Sequence, residues 1–271
     1  MAKPRKRHVQ QELFAKTHGG KRAGAGRKPK GTRAGSPHKK RPTLKPRHPV
    51  HVVLRVHAEI GSLRKRVTYA ALREATITVA LRELHDNKEG QGNGAFRIVH
   101  ISIQRTHVHL LVEADHQTAL SRGLQSFQIS AAKHLNRAVS IARKLPRRRR
   151  GTVFPDRFHQ EIITTPRQAR HALAYVLNNW RKHREDESRA TRAWNVDPFS
   201  TGALFTGWRE RADEPLLWRL RDTYKPLVVY LPNTWLLQKG WRKSGGSIPF
   251  QYMPSAPRGE RAAKTVGRVA A

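Results

Sequence analysis

The stretch Phe96–Glu113, FRIVHISIQRTHVHLLVE, reads as two strands joined by a tight connection. Phe96–Ile103 and His107–Glu113 are rich in β-branched and apolar residues, and Gln104-Arg105-Thr106 between them suits a hairpin. Working outward, His51–Val56 is a short β-branched run that makes a plausible first strand. A helix is expected from about Tyr69 to Leu84, with Ala71, Leu72, Ala75, Val79 and Leu84 near helical spacing. The Gly-rich run Lys88–Gly94 then reads as a turn. Beyond the hairpin, Leu120, Leu124, Phe127, Ala131, Leu135, Ala138 and Ala142 recur by threes and fours, predicting a helix from about Gln117 to Arg143. It ends near Pro146 and the tetrabasic run Arg147–Arg150. Phe158–Thr164 reads as a fourth strand, and Thr165-Pro166 opens a third helix over about Arg167–Arg184. The order is β-α-β-β-α-β followed by a helix. That is the α+β, ferredoxin-like plan: an antiparallel sheet with helices on one face, the other left for a ligand. RNA-recognition modules use the same plan, so the fold alone does not choose between an enzyme and a binding module.

The charge is lopsided. The chain has 271 residues with 54 Lys+Arg against 19 Asp+Glu, a formal net charge of +35, and no cysteine. Lack of cysteine excludes a disulfide scaffold, a thiol nucleophile and any thiolate metal site. No apolar stretch approaches the roughly 20 residues of a membrane helix, and the charged start MAKPRKRHVQQELF has no apolar core of a signal peptide. A cytoplasmic, nucleoid-associated protein is therefore expected, with a polyanion as partner. Residues 1–48 hold 16 Lys+Arg and one acid, Glu12, are rich in Gly and Pro, and lack a repeating apolar position. Such a segment cannot bury enough surface to offset its ordering entropy, so residues 1–47 are expected to be a disordered basic arm. Within it Gly26-Arg27-Lys28-Pro29-Lys30-Gly31 resembles an AT-hook, a basic segment that lies in the DNA minor groove; a solubilising or RNA-binding tail is the plainer alternative. The expected organisation is completed by a folded domain over 48–184 and an aromatic-rich extension over 185–271.

The chemistry centres on Thr106-His107-Val108-His109-Leu110. Residues two apart in a strand share a face, so His107 and His109 project together. Two adjacent imidazoles, mostly neutral at pH 7, can bind one divalent ion. With 15 His in the chain, chance gives roughly one such tripeptide, and two exposed histidines touching DNA is the plain alternative. The third helix adds Ala172-Leu173-Ala174-Tyr175-Val176-Leu177-Asn178-Asn179-Trp180. Tyr175 and Asn179 lie four apart on one helix face, so a hydroxyl and an amide present jointly.

Together these segments resemble the single-tyrosine HUH transposases, and within them the REP-associated tyrosine transposases of bacteria. His107-Val108-His109 is similar to the family's H-hydrophobic-H core, Tyr175 with Asn178 and Asn179 to its late-helix tyrosine, and Val153–His159 to the segment before its fourth strand. The likeness covers residues 48–184, which it makes the catalytic domain. It implies cleavage of single-stranded DNA beside a hairpin by Tyr175, giving a 5′-phosphotyrosine and a free 3′-hydroxyl, with rejoining by the reverse step. A free phenol has a pKa of about 10 and is scarcely ionised at pH 7, so the resemblance also implies Mg²⁺ or Mn²⁺, held by His107, His109 and a third ligand. Asn179 has the family's spacing for that ligand, with Asn178, Gln168 and Glu161 as alternatives; an amide is a weak ligand beside a carboxylate. Arg27, Lys28, Lys30, Arg147, Arg148, Arg149, Arg150, Arg157 and Arg181 are the expected DNA contacts, Arg181 as one candidate to shield the phosphate. The partner is single-stranded DNA with hairpin-containing repeat ends, and the expected form a monomer or homodimer. No Walker sequence occurs, in keeping with a covalent intermediate that needs no ATP.

Other readings fare worse. His57-Ala58-Glu59 matches part of a zinc-deaminase motif, but the paired cysteines are absent. Asp115, Asp156 and Glu161 have no spacing that recommends a three-carboxylate site. A non-catalytic DNA- or RNA-binding protein is the competing function. The extension carries Trp194, Trp208, Trp218, Trp235 and Trp241. Those aromatics either stack unpaired bases or, as favoured here, anchor the extension on the catalytic domain.

Overall fold

The computed structural model describes residues 41–88, 95–187, 191, 194–210 and 224–254. Residues 1–40 of the basic arm, including Arg27, Lys28 and Lys30, lie outside them, as does Trp218; the last part of the expected arm is packed, with Leu44 in the core and Arg41 donating to Gln160 Oε1 and Phe158 O. Seven main elements follow in order: β1 (Val50–Arg55), α1 (Arg66–Lys88), β2 (Phe96–Ile103), β3 (His107–Ala114), α2 (Gln117–Ala142), β4 (His159–Ile162) and α3 (Pro166–Lys182). The strands form one antiparallel sheet in the order β2-β3-β1-β4, so the fold is α+β on the ferredoxin-like plan.

Element ends differ from the sequence expectation for local reasons. Helix α1 starts at Arg66 rather than Tyr69, because the Tyr69 amide already donates to the Lys65 carbonyl at 2.8 Å and the Thr68 hydroxyl donates to Leu63 O at 2.8 Å. It runs past Leu84 to Lys88, the first helix breaker in the sequence being Gly90. Strand β4 is confined to His159–Ile162, which pair with Val50–Val53 of β1. Thr165 then caps α3: its hydroxyl accepts from Gln168 N while the Gln168 side chain accepts from Thr165 N, with Pro166 in the first turn.

The pleat of β3 divides the molecule. Val108, Leu110 and Val112 face α1 and α2, where Val50, Val52, Leu54, Leu72, Leu124 and Phe127 complete a core. Gly123 of α2 sits directly on the Phe96 ring; a Cβ there would fall 2.1 Å from Phe96 Cγ, so only glycine lets this helix approach so closely. His107, His109, Leu111 and Glu113 face the other way. That face is not left open, as the sequence plan had it. Helix α3 brings Leu173, Val176 and Leu177 onto Leu111 and Val99, and the extension adds Trp208, Leu236, Leu237 and Trp241. An amphipathic helix following β4 has an apolar stripe to bury, and only this face of the sheet is available to it.

Polar anchors hold the extension in place. The Glu113 carboxylate, fully buried, accepts from the amides of Asn233 and Thr234 and from the Thr234 hydroxyl, each at 2.8 Å. Arg64 clamps Asp197 in a two-pronged pair of 2.9 and 2.8 Å and also donates to Ile103 O. At the β2 edge, Ser102 bridges Ser200 and the Tyr230 amide donates to Ile98 O. Trp208 and Trp241 are each 2% exposed, so they serve as anchors, whereas Trp235 is 49% exposed.

Two predictions follow from this packing. A chain ending at Arg192 strips α3 of Trp208, Leu236, Leu237 and Trp241 and leaves the Glu113 carboxylate without three of its donors. It should lose its cooperative thermal transition by circular dichroism; a sharp melt near that of the full chain would show that the extension is not part of the core. The second concerns acid. Burial pushes the His100 imidazole, 3.1 Å from Thr201 Oγ1, down to about 4. An unfolded His protonates near 6.5, so His100 contributes stability that is complete above that pH and is lost as pH falls toward 4, by up to about 3 kcal/mol. Urea unfolding of His100→Gln should therefore show a shallower fall between pH 6.5 and 4 than the native chain; equal slopes would refute this.

Candidate active site

The site grows from the pleat of β3 and its neighbour β1. In their register Val53 faces His109 and His51 faces Leu111, which puts His51, His107 and His109 on the same side of the sheet. His107 and His109 have ring centroids 4.7 Å apart. His51 Nε2 lies 3.0 Å from His109 Nδ1, and those two rings are 5.3 Å apart and nearly parallel.

Helix α3 lays Tyr175 across this group. Its ring meets His109 edge-on at 5.4 Å and His51 at 5.8 Å. Two turns along the helix, Lys182 Nζ donates to the Tyr175 hydroxyl at 3.2 Å and sits 4.9 Å from the ring centre. His183, at the helix C-cap, has its ring 5.4 Å from that of His107. Two of the three segments that carried the sequence reading thus meet, the β3 histidines and the α3 stretch bearing Tyr175.

The electrostatics are those of a neutral imidazole cluster. Burial, and then His159, lowers His51 to about 4. Burial, and then His183, Arg55 and Lys182, lowers His107 to about 4. His109 falls well below its ordinary value, through burial first and then the neighbouring His51 and His107. All three rings are therefore unprotonated at neutral pH and present lone pairs.

Asn178 and Asn179 are both fully buried. Asn178 Nδ2 donates to Tyr252 O at 3.0 Å, tying α3 to the extension. Asn179, by contrast, finds no hydrogen-bond partner among the described residues for either side-chain atom, and His109 Nε2 finds none either. Among the described residues, no group of three His, Cys, Asp or Glu is arranged to hold a metal ion. The paired imidazoles of His107 and His109 are nevertheless donors that suit a divalent cation chemically, and His109 Nε2 and the Asn179 amide are buried polar atoms of the kind such an ion satisfies.

The other expected residues are placed as follows. Gln168 is absorbed by the α3 cap, accepting from Thr164 and Thr165. Glu161 pairs across from His51 in β4 and is exposed. Arg181 is engaged within the protein, donating to Phe250 O, Asp186 and Asn195 O. Arg147, Arg148, Arg150 and Arg157 are exposed; Arg148 donates to Lys133 O, and Arg149 is held by Asn136 and Glu59. The basic loop returns to the sheet where Val153 O accepts from His57 N, just beyond the Arg55–His107 pair. Sequence reasoning missed His51, Lys182 and His183. The signal for His51 was its alternation in β1, and for Lys182 its position two helical turns from Tyr175.

Residues 48–179 match the family model described as IS200-like transposase. This segment, just under half of the chain, belongs to the IS200-like transposases. Among solved structures, this transposase is similar to a REP-associated tyrosine transposase bound to a REP hairpin, at 17% identity and a TM-score of 0.45, covering 73% of this chain and 100% of the other. A second, a transposase candidate from Deinococcus radiodurans R1, is 12% identical with a TM-score of 0.32, covering 56% of this chain and 96% of the other. No curated protein matches the transposase. Among its described residues, no helix is long and apolar enough to cross a membrane.

Proposed function

We propose that this transposase cuts and rejoins single-stranded DNA through Tyr175. The observation that carries the reading is the placement of the Tyr175 ring edge-on to His109 with its hydroxyl at 3.2 Å from Lys182 Nζ. In this reading Tyr175 Oη attacks a DNA phosphorus. A P–O bond forms to the tyrosine, the bond to the 3′ oxygen breaks, and a 5′-phosphotyrosine remains. The phenolic proton is released to solvent and the departing 3′ oxygen takes one up. Rejoining runs the same exchange backwards with another 3′-hydroxyl, so no nucleotide cofactor is consumed.

Lys182 holds the hydroxyl in one orientation, and its charge sits where the phosphate arrives. His107 and His109, with Asn179 as third ligand, are the residues proposed to hold Mg²⁺ or Mn²⁺. Such a cation would polarise the scissile phosphate and offset charge that develops on its oxygens. The exposed Arg147, Arg148, Arg150 and Arg157 are proposed to lead the strand along the surface, aided by Arg27, Lys28 and Lys30 of the arm. The resemblance to REP-associated enzymes makes a strand flanking a hairpin the substrate to try first, acted on by a monomer or homodimer.

The test is covalent capture. Labelled single strands carrying a hairpin are incubated with protein and Mn²⁺, then denatured. A labelled protein band should form, vanish in Tyr175→Phe, and fall by ~10²-fold or more in His109→Ala. Tight binding with no adduct on any of several hairpin substrates would make the chain a non-catalytic DNA-binding protein instead.

A further inference from the structure

We infer that His51 is a positioning residue that fixes the tautomer of His109. The inference rests on the proposed cation-binding role of His109, but its central claim concerns a proton in the metal-free protein. His51 Nε2 and His109 Nδ1 are 3.0 Å apart, a hydrogen-bond distance between two ring nitrogens that requires one proton between them. Only two arrangements exist. If His51 donates, the proton of His109 resides on Nε2, where a buried N–H has no acceptor among the described residues. If His109 donates from Nδ1, its Nε2 is a bare lone pair, which a cation would satisfy. A ligating histidine ordinarily gives its second ring N–H to a fixed acceptor, which orients the ring and raises its basicity. That acceptor is commonly a carboxylate or carbonyl; here the ring nitrogen of His51 stands in that place.

The surroundings favour this assignment. The near-parallel rings, at 17°, keep the two nitrogens in one plane, and the Tyr175 ring bears on both His51 and His109, so neither can rotate freely. His51 thereby connects three parts of the site: the β1 strand that carries it, the His109 nitrogen and the face of α3 bearing Tyr175.

Nitrogen-15 spectra of the full-length, metal-free protein at pH 7.5 read the tautomer directly. His109 should appear protonated at Nδ1 and bare at Nε2; the opposite pattern overturns the inference. Mn²⁺ binding to the same protein, followed by electron paramagnetic resonance of the free ion, supplies the second readout. His51→Leu should weaken Mn²⁺ binding by about 10–100-fold, and His51→Gln, whose amide oxygen can still accept, should recover most of it. Equal Mn²⁺ affinity in His51→Leu and the native chain also overturns the inference. Native protein that fails to bind Mn²⁺ defeats the metal-dependent reading of the reaction, whereas the His51 assignment still stands or falls on the nitrogen spectra.

Discussion

Strand β3 is buried on both sides, and the rest of the molecule follows from that constraint. From Val108 to Ala114 every residue is buried, yet the residues alternate between two chemistries. Val108, Leu110 and Val112 join the α1–α2 core, while His109 and Glu113 are polar and need partners. Burying a polar group without a partner costs roughly 1–3 kcal/mol, so whatever covers the second face must supply hydrogen bonds as well as apolar contact. Glu113 obtains them from residues 233 and 234, which pins the extension. His109 obtains one from His51 and leaves one nitrogen unpaired.

Much of this was legible in the sequence because period-2 and period-3.6 patterns are strong where a segment has one buried face. The hairpin 96–113, the long α2 stripe and the Thr165-Pro166 start of α3 are of that kind. So was the pairing of His107 with His109, which depends only on alternation along one strand. The structure adds what alternation cannot supply. His51 sits 58 positions from His109, and their contact depends on the β1–β3 register, which no local pattern encodes. Lys182 reaches Tyr175 across two helical turns, farther than the spacings by which helix neighbours are usually paired. The cover over the second face was hidden for a different reason. The described part of the extension is largely irregular chain, and its tryptophans carry no periodicity, so their burial against α3 could be argued from side-chain chemistry but not from pattern.

The division of charge also takes a physical form. Arg64, Arg149 and Arg181 are spent on holding carboxylates and carbonyls within the protein. Arg147, Arg148, Arg150 and Arg157 remain exposed to solvent. A formal count of +35 therefore overstates the charge available to a polyanion, because part of it is internal mortar.

The tie between Asn178 and the Tyr252 carbonyl has a consequence in time. A ribosome completes α3 at Lys182, but the chain that covers it, Trp208, Leu237, Trp241 and Tyr252, emerges later. At ~5–20 residues per second, that lag is on the order of several seconds. During it the sheet and its histidines can form while the tyrosine helix still lacks its outer wall. In a nascent chain the packing behind Tyr175 is thus completed only once residue 252 has been made, well after the strands that carry the histidines.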